Sequence, residues 1–458
     1  MHQQMKQDLR RVMSLGFPAF LRMTLQSVVT IAALIMVGHL GPEAIAAVGL
    51  GSRVLFIMIA VLMAVSVGVT ALVARYVGAG NNERVQAAIQ HALILGLGIG
   101  FLIAVSGWFL APAIMRGLLF LQPQTDTGLI ALGTTYLRMT LLPMVIGYLL
   151  FISNAIFQGA GNMKTPLYLM LGVNIINLSL MYVLINGTGP FPTMGVGGAG
   201  LAQGLSRAIG AIVALYLLGR GKAPVKLIFT NTGLDLLLVK KLLAIGLPAS
   251  GENFVRQGSQ VLYSIIIASW GTVTLAANQI AMSIFSLSFM PGLGFSLAAT
   301  ALAGQSLGAG EHNNAVKYGY LATKITLLLS LITGMTFYFL GQTIAGLYTS
   351  DSDVISLSAS CLKIIALTQP ALAVVQVLAG ALRGAGDTKW VLYITTIGNW
   401  GVRLILSLML GFYFGLHLLG VWWAMASDQF IRAILTLWRY HGRGWIRVFL
   451  AQENHTVN

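Results

Sequence analysis

The chain has 458 residues, 57% of them hydrophobic and only 9% charged, with a formal net charge of +15. A soluble domain carries about 25% charged residues, so this chain lacks the charge to coat a water-facing surface, and its composition predicts an all-α polytopic membrane protein. The single Cys361 excludes an internal disulfide and a multi-cysteine metal site. The basic excess reads as the bias of cytoplasmic loops and not as a nucleic-acid-binding surface.

In chain order, Met1 to Arg11 is polar and basic, and no cleavable signal peptide is expected there. Twelve apolar runs follow, at about 15–39, 44–76, 86–112, 128–155, 166–186, 195–219, 243–270, 275–306, 316–346, 355–382, 390–414 and 419–440. Each is near the ~20 residues that cross a bilayer as a helix. Twelve transmembrane helices are therefore predicted. Lys6, Arg10 and Arg11, then Arg84, Lys164, Arg220, Lys222, Lys226, Lys240 and Lys241, then Lys317, Arg383, Lys389, Arg439, Arg443 and Arg447 fall on one side. The other side carries Glu43, Arg116, Asp126, Asp351 and Asp353. This asymmetry puts both termini in the cytoplasm.

The twelve runs form two six-helix repeats. Shifting Leu15–Gly80 by 230 positions lands it on Ile245–Gly310 without a gap. Gly16 and Pro18 fall on Gly246 and Pro248, and Thr70-Ala71-Leu72 on Thr300-Ala301-Leu302. An offset of 225 continues the match, placing Lys164 on Lys389, Asn174 on Asn399 and Arg207 on Arg432. An even number of spans per repeat inserts both halves in the same direction, about an axis along the membrane normal. The expected divisions are an amino-terminal six-helix lobe at 1–219, a cytoplasmic linker at 220–242, a carboxyl-terminal lobe at 243–442 and a cytoplasmic tail at 443–458.

Two loops, Gln158-Gly-Ala-Gly-Asn162 and Arg383-Gly-Ala-Gly-Asp387, end spans on the cytoplasmic side. Their glycines suit the left-handed turn that closes a helix, with a basic residue as topology anchor. No strand precedes them, and they do not match a nucleotide-binding pattern.

Taken with Met36-Val-Gly-His-Leu-Gly41, Gly271-Thr-Val-Thr-Leu-Ala-Ala-Asn-Gln279, Ser286-Leu-Ser-Phe-Met-Pro-Gly-Leu-Gly-Phe295 and Ala303-Gly-Gln-Ser-Leu-Gly308, these loops carry a family likeness. From about residue 15 to 440 the chain resembles the multidrug and toxic compound extrusion (MATE) transporters of the NorM/DinF-like bacterial branch. The resemblance implies two six-helix lobes around a central cleft. It also implies export of amphipathic, often cationic compounds against an inward flow of protons or sodium ions. One position departs from the family pattern: where relatives carry an aspartate three residues before the Met-Val-Gly motif, this chain has Ala33.

Ionisable residues at membrane depth are costly and mark functional candidates. Glu252 is the leading cation-coupling candidate and Asp428 the second. Arg256, Ser259 and Tyr263 continue the Glu252 face at helical spacing, and Arg256 is its expected ion-pair partner. Arg22 and Gln26 are the repeat equivalents of Glu252 and Arg256. With Asn278 and Gln279 these residues complete the candidate polar cavity. Asp428 pairs by spacing with Arg432, while Arg53, Arg138, Lys324, Lys363 and Arg403 are read as locks between helices.

The expected function is secondary active export of a small amphipathic organic substrate across the bacterial cytoplasmic (inner) membrane, by alternating access. The coupling ion would be H+ or Na+, with no cofactor, no metal and no nucleic acid, and the protein would act as a monomer. A flippase for an anionic lipid-linked or other metabolite is the near alternative. A membrane-embedded enzyme is the remote one, because no nucleophile–base set is visible.

Overall fold

The computed structural model describes residues 2–119, 127–221, 225, 227 and 235–454, and among these the regular structure is helical. The helices are α1 (His2–Gly38), α2 (Pro42–Gly78), α3 (Asn82–Leu119), α4 (Thr127–Gly159), α5 (Lys164–Asn186), α6 (Gly195–Arg220), α7 (Leu236–Ala268) and α8 (Thr272–Leu287). They continue with α9 (Phe289–Gly308), α10 (His312–Gly346), α11 (Ser352–Ala366), α12 (Gln369–Gly384) and α13 (Thr388–Thr396). A π-helical turn (Ile397–Arg403), α14 (Leu404–Leu408) and a second π turn (Met409–Tyr413) lead to α15 (His417–His441) and α16 (Gly444–Asn454).

Among the described residues, nine helical stretches are long and apolar enough to cross a membrane, and α11 with α12, bent by 56°, makes a tenth. The seventh and twelfth expected runs coincide with α7 and α15, of 33 and 25 residues. Both are helical, but their interiors hold Glu252 and Arg256, and Asp428 and Arg432, which lowers their mean hydropathy. Much of the expected linker lies outside the described residues.

The Gly-Ala-Gly loops close their helices in one way. In the first, Ala160 N–H donates to Ile156 O, Gly161 N–H to Gln158 O and Asn162 N–H to Phe157 O. In the second, Ala385, Gly386 and Asp387 donate to Ala381, Arg383 and Leu382. Gly161 at φ 79° and Gly386 at φ 82° take the left-handed conformation that such a cap requires.

The repeat also holds at the level of single bonds. Thr70 Oγ1 donates to Ser66 O at 2.9 Å and across to Ala155 O at 3.1 Å. Its equivalent Thr300 donates to Ser296 O at 2.9 Å and across to Gly380 O at 2.8 Å. A buried hydroxyl thus fastens α2 to α4 in one half and α9 to α12 in the other, as polar side chains do between membrane helices.

The compact units do not follow the repeat boundaries. One comprises Leu21–Gly246; the other comprises Met1–Phe20 and Leu247–Asn458. Helices α1 and α7 each contribute their first part to one unit and the remainder to the other. Both changes fall beside the matched prolines Pro18 and Pro248, which interrupt the helical hydrogen-bond ladder.

Within the first unit, Leu238, Leu242 and Ile245 of α7 join the apolar core of α2–α6. At Gly246 an added Cβ would lie 1.8 Å from the backbone oxygen of Ala64, so only glycine admits this approach. Within the second unit, the start of α1 is tied to α10. Lys317 and Tyr318 both engage the Asp8 carboxylate, Tyr318 at 3.2 Å, and Arg11 donates to the Tyr318 hydroxyl at 3.3 Å.

Candidate functional site

In the unit formed by Met1–Phe20 and Leu247–Asn458, the buried charges between Glu252 and Arg432 that lie within spans gather around two carboxylates, Glu252 and Asp428. Glu252, on α7 just beyond Pro248, is 5% exposed. Arg383 Nη2 from the end of α12 donates to both of its oxygens, at 2.9 and 2.7 Å. Arg256, one turn on along α7, reaches Glu252 Oε1 only at 3.4 Å and divides its Nη2 with Asn253 Oδ1 at 3.0 Å. The Arg256 side chain is 46% exposed, against 22% for that of Arg383.

The expected pair of Glu252 with Arg256 is therefore the minor half of the arrangement. Arg383, read from sequence as a topology anchor, is the principal partner. It escaped notice because the loop that carries it also explains itself as a turn. A signal was present all the same: the 225 offset puts Gln158 where Arg383 stands, and the 230 offset puts Arg22 where Glu252 stands. Acid and base have changed together between the repeats.

Asp428, on α15, is fully buried. Arg432 Nε donates to its Oδ1 at 2.7 Å and Nη2 to its Oδ2 at 2.9 Å. Arg403 donates to Oδ2 from Nε at 3.1 Å and from Nη2 at 2.6 Å. The pair with Arg432 stands as expected, and Arg403 is indeed a lock between elements. Gly398 makes the space: an added Cβ would sit 2.2 Å from Asp428 Oδ1 and 2.5 Å from Arg432 Cδ.

The other candidates separate. The Tyr263 hydroxyl donates to the Asn399 carbonyl, while Arg403 lies over its ring at 5.4 Å. Trp400 Nε1 donates to Val255 O at 2.9 Å, so the π-helical turn is fastened to α7 at two points. Ser259 donates to the Arg256 carbonyl at 2.8 Å and bridges no second helix. Asn278 accepts from Trp422 Nε1 at 3.2 Å, a packing role, and Gln279 is exposed. A cavity of about 20 Å³ is lined by Tyr263, Asn278 and Arg403 among others. It has room for about one water and not for a drug-sized ligand.

In the unit Leu21–Gly246, Ala33 packs beside the apolar cluster that contains Val37 and Tyr136. The place of the family acid is an apolar contact. Arg22 and Gln26 are partly buried on α1. Arg138 donates to the Trp108 carbonyl at 3.1 Å and lies over its ring. His91 holds Ala87 O through Nδ1 at 2.7 Å and accepts the Asp235 N–H at Nε2, at 2.8 Å. Those two bonds make Nδ1 the protonated nitrogen, and the residue a cap on the start of α7. Among the described residues no group of three or more histidine, cysteine or acidic side chains is placed to hold a metal.

Outside the spans, Asp387 sits in the turn before α13. Burial raises its carboxyl above the ordinary range, while Arg439 Nε at 2.8 Å pulls the other way and does not cancel the effect. Arg439 is stacked on Trp390, with its guanidinium 4.7 Å from the ring centroid.

Comparison with known proteins agrees with this architecture. The family model described as MatE matches twice, over residues 18–183 and 248–409, so each match starts beside one of the two paired prolines. A probable multidrug resistance protein NorM of Thermotoga maritima is 30% identical over 447 residues, covering 95% of this chain and 93% of its own length. A crystal structure of a MATE protein in complex with MaL6 superposes with a TM-score of 0.88 at 22% identity, covering 97% of both chains. A MOP superfamily transporter of Pyrococcus furiosus, described as having a binding pocket of reverse polarity, superposes with the same TM-score at 22% identity over 96% of both chains.

Proposed function

Because the chain belongs to the MATE family, we propose that this multidrug efflux transporter is a secondary exporter of amphipathic organic compounds, driven by entry of H+ or Na+ and working by alternating access. It would act as a monomer in the bacterial cytoplasmic membrane, with both termini inside.

The observation that carries the coupling step is the contrast between the two buried carboxylates. Asp428 accepts from four arginine nitrogens of two side chains and is fully buried. It is a lock, and exchanging its partners would strand two cations. Glu252 has one close partner and one distant, half-exposed one. A proton or a sodium ion can replace Arg256 there at little cost in packing. Neutralising Glu252 would release Arg383 at the end of α12. Such a change shifts the conformational balance only insofar as one state binds the ion better than the other. With Ala33 in place of the family acid, coupling depends on this carboxyl-terminal site.

The test is uptake of an ethidium-like dye by proteoliposomes under an imposed proton gradient and then a sodium gradient, for the parent and for Glu252→Gln. Transport by the variant equal to the parent at every pH would reject Glu252 as the coupling group.

A second reading, a flippase for an anionic lipid-linked cargo, draws on charge. Four arginines, Arg256, Arg383, Arg403 and Arg432, share the two carboxylates Glu252 and Asp428 and outnumber them. The Pyrococcus furiosus protein of similar fold is described as having a binding pocket of reverse polarity that suggests a different function. A dye panel of cations, neutral compounds and anions separates the two readings.

A further inference from the structure

Arg207 stands near the middle of α6, where the repeat puts Arg432 in the other half. Arg432 has Asp428 one turn before it; Arg207 has Gln203. That amide is already engaged, since Gln203 Oε1 accepts the Tyr136 hydroxyl at 2.5 Å. No carboxylate replaces it. Among the described residues of Leu21–Gly246 the acids are Glu43 and Glu83, in the first turns of their helices, and Asp235, ahead of α7.

Nη1 of Arg207 is buried and has no hydrogen-bond partner, and the Phe151 ring lies 5.6 Å from the guanidinium. The Tyr148 hydroxyl, on a side chain that is fully buried, is also unpartnered, and Tyr148 lies on α4 between Gly147 and Phe151, both of which approach Arg207. Small residues bring α4 and α6 together here: an added Cβ at Gly147 would lie 3.2 Å from Arg207 Cβ, and one at Gly204 would lie 2.5 Å from the Thr140 carbonyl. Arg207 as a whole is partly buried, while its Nη1 is enclosed. An unpaired cation and an unpaired hydroxyl at membrane depth are both costly, and such groups are retained where a ligand engages them. A guanidinium beside a phenol presents N–H and O–H donors to one acceptor, which suits an oxyanion.

We propose that Arg207 and the Tyr148 hydroxyl form a subsite for one carboxylate or sulfonate group of an amphipathic substrate. The inference rests on the exporter reading above and adds to it a fixed anchoring point for an anionic group on the substrate.

The probes are rhodamine B, which carries a free carboxylate, and its ethyl ester, which has the same ring system without the charge. Fluorescence polarisation with the purified full-length protein in detergent gives both affinities. Arg207→Gln should weaken rhodamine B at least about tenfold and change the ester by less than about twofold, the size of one charge-assisted hydrogen bond. Arg207→Lys should fall between parent and Arg207→Gln, and Tyr148→Phe should weaken the acid selectively. The melting temperature of Arg207→Gln should equal or exceed that of the parent, because a binding cation is removed and no structural pair is broken. Equal loss of both dyes, no loss of the acid, or a lower melting temperature with no selectivity in Arg207→Lys and Tyr148→Phe overturns the subsite. Failure of the parent to bind either dye overturns the amphipathic-substrate reading itself. Binding of both dyes by the parent with no selectivity in any variant removes only the subsite.

Discussion

Glu252 and Arg383 stand 131 positions apart in the chain, and Arg383 Nη2 lies 2.7 Å from Glu252 Oε2. The contact joins the helix that opens the second repeat to the loop that ends α12. It turns a short surface-like motif into part of a buried charge network.

The pair should show strong thermodynamic coupling. Arg383→Gln leaves a buried carboxylate with one distant partner and should lower stability by about 3 kcal/mol, as breaking one side of a buried ion pair does. Glu252→Gln should keep the fold while lowering gradient-driven dye export more than about tenfold. The double variant should recover much of the lost melting temperature and none of the transport. Additive losses in the double variant would mean that the two side chains do not act as a pair.

Asp428 should behave as a structural residue. Asp428→Asn strands Arg403 and Arg432 in a buried setting, at a cost of about 3–5 kcal/mol. Gly398→Ala should be comparably damaging, because its Cβ enters the space of Asp428 Oδ1. Detergent-solubilised yield and thermal unfolding measure both. A well-folded Asp428→Asn that fails only in transport would move the coupling role to Asp428.

Asp387 supplies a pH signature. Its carboxyl is raised in the folded protein by burial, against the pull of Arg439. The folded state therefore holds the proton more tightly than the unfolded chain. Its contribution to stability is fully present below the ordinary carboxyl value and is lost as pH rises through the raised folded value. The melting temperature of the parent should fall across that window relative to Asp387→Asn. Parallel pH profiles for the two proteins would contradict the assignment.

Membrane orientation can be read by labelling. In a Cys361→Ser background, cysteine at Glu43 should react with an impermeant maleimide in intact cells. Cysteine at Lys164 should react only after the membrane is opened. Both positions are exposed at helix starts, so accessibility reports the side and not burial. The reverse pattern would invert the proposed topology.

The sequence by itself determined the solvent, the two repeats, the helix-closing glycines and the two buried acids. These follow from composition and local periodicity, which act within a few turns of chain. The pair of Asp428 with Arg432 was legible for the same reason, since four-residue spacing puts both on one helix face. Only the tertiary structure decided that Arg383 outranks Arg256 at Glu252, and that Arg403 completes the clamp on Asp428. It also decided that α1 and α7 are each divided between the compact units at Pro18 and Pro248. Those choices depend on which helices approach closely enough for a guanidinium to reach across, as at Gly246 and Gly398, where backbone and side chain occupy the volume of a missing Cβ. A pattern of residue types along one strand of chain carries no information about that approach.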